Sequence, residues 1–155
     1  MEQQESDRTA PAHARVRRYR DGDESDVLAL WERTGINRPW LDLRAEISEK
    51  RRRDRSLFLV AVDGVHLVGA VMGAYDGRRG WVYHLAVEPA YHGAGIGRRL
   101  MAELERKMAA LGVSKINLQV RADNASVIGF YERLGYVDEH LTSFGKRLMP
   151  RREEV

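Results

Sequence analysis

The residues with the most chemistry in them lie in one stretch, Leu85-Ala-Val-Glu-Pro-Ala-Tyr-His92-Gly-Ala-Gly95-Ile-Gly97-Arg98-Arg-Leu100. A strand-like run ends at a proline, glycine then recurs at every second position from Gly93 to Gly97, and a helical pattern follows. Such a loop leaves backbone N–H groups unpaired at the positive end of a helix dipole, a ready seat for a diphosphate. Glycine matters there because a Cβ would hold phosphate oxygens off and would penalise turns with φ > 0. Two familiar phosphate loops do not fit. A Walker A loop needs Gly-Lys-Ser/Thr at the helix start, and Gly97 is followed by Arg98 and Arg99. A dinucleotide fingerprint needs a third glycine where Arg98 stands. It also needs an acidic residue about 20 residues on, where the next strand carries Asn117 and Gln119. ATP and dinucleotide binding are therefore disfavoured.

The elements that must hold this loop can be read from periodicity. Residues 1–13 are polar and aperiodic and are expected to form a disordered tail, with another short tail at 151–155. Between them, 14–150 reads as a single domain. Arg15 to Arg20 reads as a first strand. Asp23 and Asp26 signal the start of a helix with Val27, Leu30, Trp31 and Thr34 on one face, stopped by Gly35. A second helix is expected from about Asp42 to Arg53, after a loop, Ile36-Asn-Arg-Pro-Trp40, that presents Arg38 and Trp40. Leu57–Val62 and His66–Tyr75 flank Asp63-Gly64, a hairpin signal, and a further turn leads into Trp81–Val87. The helix after the glycine loop carries Ile96, Leu100, Leu104, Met108 and Leu111 at helical spacing and stops at Gly112. A strand (Lys115 to Arg121), a helix (Asn124 to Leu134) and two short strands (Tyr136–Glu139 and Thr142–Met149) complete the order β-α-α-β-β-β-α-β-α-β-β.

Composition narrows the function classes. The chain has 155 residues, enough for a real core, and its 32% charged and 43% hydrophobic content is that of an ordinary globular protein. With no cysteine, disulfides, thiolate catalysis and Cys-based zinc sites are excluded, and a cytoplasmic setting is expected. No apolar run is long enough to span a membrane, and no signal-peptide core is evident. A net charge of only +3 gives no support for nucleic-acid binding, and Lys50-Arg-Arg-Arg-Asp-Arg55 reads as the solvated end of a helix.

A second motif sharpens the picture. His92-Gly-Ala-Gly95-Ile-Gly97 resembles the pyrophosphate loop of the GNAT superfamily of acetyl-CoA-dependent N-acyltransferases, Arg/Gln-x-x-Gly-x-Gly/Ala, with histidine in the first position. Asp123-Asn124-Ala-Ser-Val127-Ile128-Gly-Phe130-Tyr131-Glu132-Arg133-Leu134-Gly135-Tyr136 resembles that family's Asn-x-x-Ala-Ile-x-Phe-Tyr-Glu-Lys-Leu-Gly-Phe helix, with Val127 for the usual alanine. The element order is also that of the GNAT fold. Leu30-Trp-Glu-Arg33, Arg38-Pro-Trp40, Ser56-Leu-Phe-Leu-Val-Ala61, Val71-Met-Gly73, Tyr75-Asp-Gly77 and Gly145-Lys-Arg-Leu148 are similar to the bacterial YpeA-like acetyltransferases over nearly the whole folded chain.

The resemblance implies an α/β (α+β) domain with a mixed, mostly antiparallel sheet of about seven strands flanked by four helices. It implies acetyl-CoA or CoA as cosubstrate, no metal, an amine acceptor (small molecule or peptide) and compatibility with a homodimer. Backbone groups of Leu85, Ala86 and Val87 would bind the pantetheine and polarise the thioester carbonyl; His92, Gly93, Ala94, Gly95, Ile96, Gly97 and Arg98 would seat the diphosphate. His92 departs from the usual Arg or Gln, and a surface-loop histidine is its plain alternative. Asn124 is a good helix N-cap, and the resemblance also places it on the cofactor arm. Tyr131 lies on an apolar stripe as a core aromatic would, yet the resemblance makes its hydroxyl the acid for the departing thiolate. A glutamate occupies the position of Gln119 in the branch that acetylates a ribosomal protein's N-terminal alanine, and glutamine cannot act as a base. His84, Glu88, Asp76 and Tyr83 remain as base candidates, beside a water chain or a neutral substrate. Arg38, Trp40, Tyr75 and Phe144 are expected at the acceptor side. A CoA-binding module without catalysis is the alternative reading.

Overall fold

The computed structural model describes residues 14–151, so the expected tail at 1–13 and residues 152–155 lie outside the described residues. Five strands form one sheet in sequence order: β1 (Arg15–Arg18), β2 (Phe58–Asp63), β3 (His66–Tyr75), β4 (Gly80–Val87) and β5 (Ile116–Asn117). The first four pair antiparallel, and β5 joins β4 parallel. Four helices flank the sheet: α1 (Glu24–Arg33), α2 (Leu43–Arg53), α3 (Ile96–Ala110) and α4 (Ala125–Arg133).

The central strands read as continuous apolar runs because both faces are covered. On β2, Leu59 and Ala61 pack towards Ile96, Leu100, Leu104 and Met108 of α3, whereas Phe58 and Val60 pack towards Val27, Leu30 and Trp31 of α1 and Ile47 of α2. This is the period-two alternation of a strand between two layers. Helix α3 lies so close to the sheet that glycine is required beneath it. A Cβ on Gly73 would come within 2.5 Å of Leu104 Cδ1, and one on Gly69 within 2.9 Å of Leu100 Cδ1.

Local chemistry starts and stops the helices. The Asp42 carboxylate accepts from Ala45 N at 3.1 Å and caps α2, and Asn124 accepts from Val127 N at 3.4 Å and caps α4. Gly35, Gly112 and Gly135 follow their helices with φ of 76°, 86° and 94°, as helix stops require. Asp23 plays a different part from the cap expected of it. Its carboxylate accepts from Arg20 N at 2.8 Å and holds Arg17 at 2.7 and 2.9 Å, tying β1 to the start of α1.

Two expectations fail at the far edge. The strand expected from Lys115 to Arg121 is reduced to β5, and the strands expected at Tyr136–Glu139 and Thr142–Met149 do not form. Among the described residues, 137–150 make no backbone–backbone hydrogen bond, and they stand exposed with Val137, Leu141, Phe144, Leu148 and Met149 in solvent. Their apolar pattern suits a strand, but strand propensity measures fit to a half-buried pleated surface, and this stretch has none to lie on.

Candidate active site

The site is built where the sheet opens. Strands β4 and β5 pair only at Gly80↔Ile116 and Trp81↔Asn117. Beyond that point, from Val82 to Val87, β4 has no ladder partner on its β5 side among the described residues. Leu85 and Val87 pack their side chains on the α3 layer and Ala86 on the α1 layer, so the strand is anchored by side chains while its backbone lines a gap.

At the end of β4 the chain makes a short 3₁₀ turn at Pro89–Tyr91 and enters the glycine loop. Gly93 and Gly95 take φ of 84° and 81°, conformations that favour glycine, and nothing lies near where their Cβ atoms would be. Among the described residues, the N–H groups of Gly93, Gly95, Ile96, Gly97 and Arg98 donate to no protein acceptor; the first helical bond of α3 is Arg99 N to Gly95 O at 3.0 Å. These converging donors at a helix N-terminus fit an anionic diphosphate. Gly97 has a further reason for lacking a side chain: a Cβ there would meet the Phe130 ring at 3.1 Å.

The other loop residues divide sharply. His92 Nε2 lies 3.1 Å from the Val87 carbonyl, so this side chain folds back on β4. Arg99 donates to the Ala14 carbonyl and ties down β1, whereas Arg98 is exposed and has no partner among the described residues. Across the site, Tyr131 on α4 is 8% exposed, with its ring edge-on to Phe130 and Tyr136. Its hydroxyl makes no hydrogen bond among the described residues, and burial pushes its pKa up to about 12.

His84 is the least expected feature. Ala70 pairs with Ala86 but Met72 pairs with Tyr83, so His84 and Leu85 together face Val71 in a β-bulge. His84 carries the bulge with φ of 54°, in the left-handed region where few residues other than glycine sit. The extra residue breaks the alternation and turns His84 towards the α1/α2 layer. Its ring lies 5.2 Å from that of Trp31, the Trp31 indole donates to the His84 carbonyl at 3.3 Å, and His84 Nε2 is 2.7 Å from Glu46 Oε2. No sequence pattern singled out Glu46, because it meets His84 only across 38 residues of chain.

The remaining expected residues take these places. Glu88 is clamped by Arg33, with Nη2 at 2.5 Å and Nε at 2.9 Å. Asp76 accepts from Arg78 N, Arg79 N and the Trp81 indole and closes the β3–β4 turn. Burial raises the Tyr83 phenol. Tyr75 bonds the Gly77 carbonyl at the same hairpin end, and Trp40 lies under the Arg151 guanidinium at 4.7 Å. Arg38 stays in the loop before α2, where its carbonyl accepts from Leu41 N. Phe144 is 94% exposed and packs on nothing. Gln119 donates to Ser143 at 2.7 Å.

A split parallel pair opening onto an N–H-lined loop and helix defines an acyltransferase-type fold. The model of the acetyltransferase (GNAT) family matches residues 23–136, and the chain belongs to that family. Solved structures share the fold at low identity. The aminoglycoside acetyltransferase AAC(6')-Iy, in complex with the bisubstrate analogue CoA-S-monomethyl-acetylneamine, superposes with a TM-score of 0.73 at 12% identity, over 89% of this chain and 100% of that one. The aminoglycoside acetyltransferase meta-AAC0020, from an uncultured soil metagenomic sample, gives 0.70 at 18%, over 88% and 97%. Ard1 from Thermoplasma volcanium gives 0.69 at 22%, over 80% and 82%.

Proposed function

We propose that the chain is an acetyl-CoA-dependent N-acetyltransferase, moving the acetyl group to a primary amine by direct attack in a ternary complex. The observation that carries the reading is the β4–β5 gap leading straight to the unpaired N–H groups of Gly93 to Arg98. Leu85, Ala86 and Val87 would hold the pantetheine arm in that gap, the loop would hold the diphosphate, and Asn124, already capping α4, would sit beside the arm. Acetyl-CoA supplies the activated thioester. An attacking amine forms the new C–N bond as the C–S bond breaks, and it must lose a proton, because an ammonium has no lone pair.

Tyr131 is the proposed partner of the leaving thiolate. With its pKa raised to about 12 against about 8.5 for a thiol, complete proton transfer from the phenol is uphill by about 5 kcal/mol. The hydroxyl therefore acts mainly as a fixed hydrogen-bond donor to developing negative charge, and solvent delivers the proton to sulfur. For the incoming proton, Glu88 is held by Arg33 and Asp76 by its own turn, which favours His84 as the base over those two carboxylates; Tyr83, a water chain and an amine that arrives neutral are the alternatives.

The acceptor is an amine of either a small molecule or a peptide. The aminoglycoside acetyltransferases of the same fold support the first, and the NatC complex bound to Gag peptide, a neighbour with a TM-score of 0.70, supports the second. Arg38 and Trp40 before α2, with Tyr75 and Phe144, remain the proposed acceptor contacts. The exposure of Val137, Leu141, Phe144, Leu148 and Met149 supports a homodimer in which a second copy covers them.

The test is thermal unfolding with acetyl-CoA, CoA, ATP and NAD in parallel, followed by thiol release with amine probes. At 100 times its dissociation constant a ligand adds about 2.7 kcal/mol of stability. A shift with both CoA species alone, then amine-dependent thiol release, is expected. Binding without turnover on any amine would favour a CoA-binding module, and no CoA shift would end the acetyltransferase reading.

A further inference from the structure

We infer that Glu46 is the positioning residue of the general base: it fixes the proton of His84 on Nε2 and leaves Nδ1 to take the acceptor's proton. This rests on the acetyl-transfer reading above. An ionised carboxylate can only accept hydrogen bonds, so the 2.7 Å contact between His84 Nε2 and Glu46 Oε2 requires Nε2 to donate. The neutral imidazole then carries its lone pair on Nδ1. When Nδ1 takes a proton from the amine, the new cation lies against the Glu46 carboxylate, which stabilises it in the way a third group orients the base of a catalytic triad.

The fold spends local strain to bring this pair together. Without the bulge, alternation along β4 would turn position 84 to the α3 layer and away from α2. The φ of 54° at His84 reverses its facing, and such strain persists where the surroundings over-determine it. Trp31 supplies that surrounding, fully buried, with its indole on the His84 carbonyl and its ring against the imidazole. The His84 side chain remains 21% exposed, so the ring is held without being sealed.

The charges around the imidazole leave Glu46 as its ionic partner. From α1, Arg33 is taken by Glu88 and Glu24 by Arg44 of α2. Lys50 of α2 pairs with Asp54, and Glu49 with Arg52 and Arg53. Tyr83, next on β4, has its phenol pushed up by burial and stays protonated across the working range.

The test compares wild type, Glu46→Gln, Glu46→Ala and His84→Asn; asparagine tolerates the left-handed conformation, so the last variant should fold. Long-range ¹H–¹⁵N spectra of the full chain should show His84 as the Nε2–H tautomer in wild type and a tautomer mixture in Glu46→Ala. Turnover is followed with acetyl-CoA and two probes, neamine and a short peptide bearing a free α-amine and a lysine. His84→Asn should lower kcat by about 10²–10⁴-fold. Glu46→Ala should lower kcat about tenfold or more with KM for acetyl-CoA unchanged. Glu46→Gln, whose amide oxygen can still accept from Nε2–H, should keep the tautomer and recover part of the kcat lost in Glu46→Ala, a rescue tied to the tautomer that a purely structural residue would not show. A wild-type Nδ1–H tautomer overturns the inference. So does wild-type turnover that Glu46→Ala and His84→Asn leave unchanged, and in that case the acetyltransferase reading survives. Failure of wild type to bind CoA or to acetylate either probe sinks that reading, and the base assignment with it.

Discussion

His92 Nε2 sits 3.1 Å from the carbonyl of Val87, so the first residue of the glycine loop closes on the last residue of β4. The contact braces the loop from within. Under the proposed function, histidine at this position would shape the diphosphate seat from behind. Replacing His92 by Ala removes one hydrogen bond of about 0.5–1.5 kcal/mol, so CoA affinity should fall about two- to tenfold with kcat little changed. Isothermal titration with CoA checks this. A loss of kcat at unchanged affinity would point to a chemical role instead.

Gly97 and Phe130 set how closely α3 approaches α4. A Cβ at 3.1 Å from the ring must displace Phe130 or the helix. Gly97→Val should cost about 1–3 kcal/mol in urea unfolding. It should weaken CoA binding as well, because the same displacement disturbs the N–H groups ahead of it.

Tyr131 makes an alkaline prediction. Burial lifts its pKa from 10 to about 12, so the folded state holds its proton more tightly than the unfolded chain does. That contribution is fully present below pH 10 and is lost as pH rises towards 12, at about 1.4 kcal/mol per pH unit for one group. The melting temperature should fall over this window, and Tyr131→Phe should fall less steeply. The same variant should lower kcat for thiol release while leaving CoA affinity near wild type.

Asp23 makes the acid counterpart. Burial alone would push its carboxyl up, but hydrogen bonds from the Arg17 side chain and Arg20 N outweigh burial and hold it below the ordinary range. Its contribution is therefore present above pH 4 and is lost as pH falls through the lower folded value. Asp23→Asn takes the ionic partner from Arg17 in a mostly buried setting, leaving it neutral acceptors such as the Arg18 carbonyl, and should cost about 2–3 kcal/mol at pH 7. It should also flatten the acid limb of the stability profile, measured by urea unfolding between pH 2 and 7.

Much of this molecule is local and so could be read in the chain. The apolar runs of β2 and β3, the Asp63-Gly64 hairpin and the stripe of α3 are set by side-chain period and turn chemistry acting within a few residues. Gly35, Gly112 and Gly135 stop their helices for the same reason. The glycine loop and α4 were legible because each belongs to a contiguous motif. Val137 to Met149 shows the limit, since an alternating pattern can ask for a strand while a ladder must come from a distant partner.

The order of the first nine elements and the family were thus determined by the sequence alone. The tertiary structure decided what long-range contact controls. It reduced β5 to two residues and opened the gap beside β4. It gave Glu88 to Arg33, and at the bulge it turned His84 to Glu46. A bulge reverses side-chain facing by inserting one residue against a neighbouring strand, and that mismatch exists only once the two strands have met.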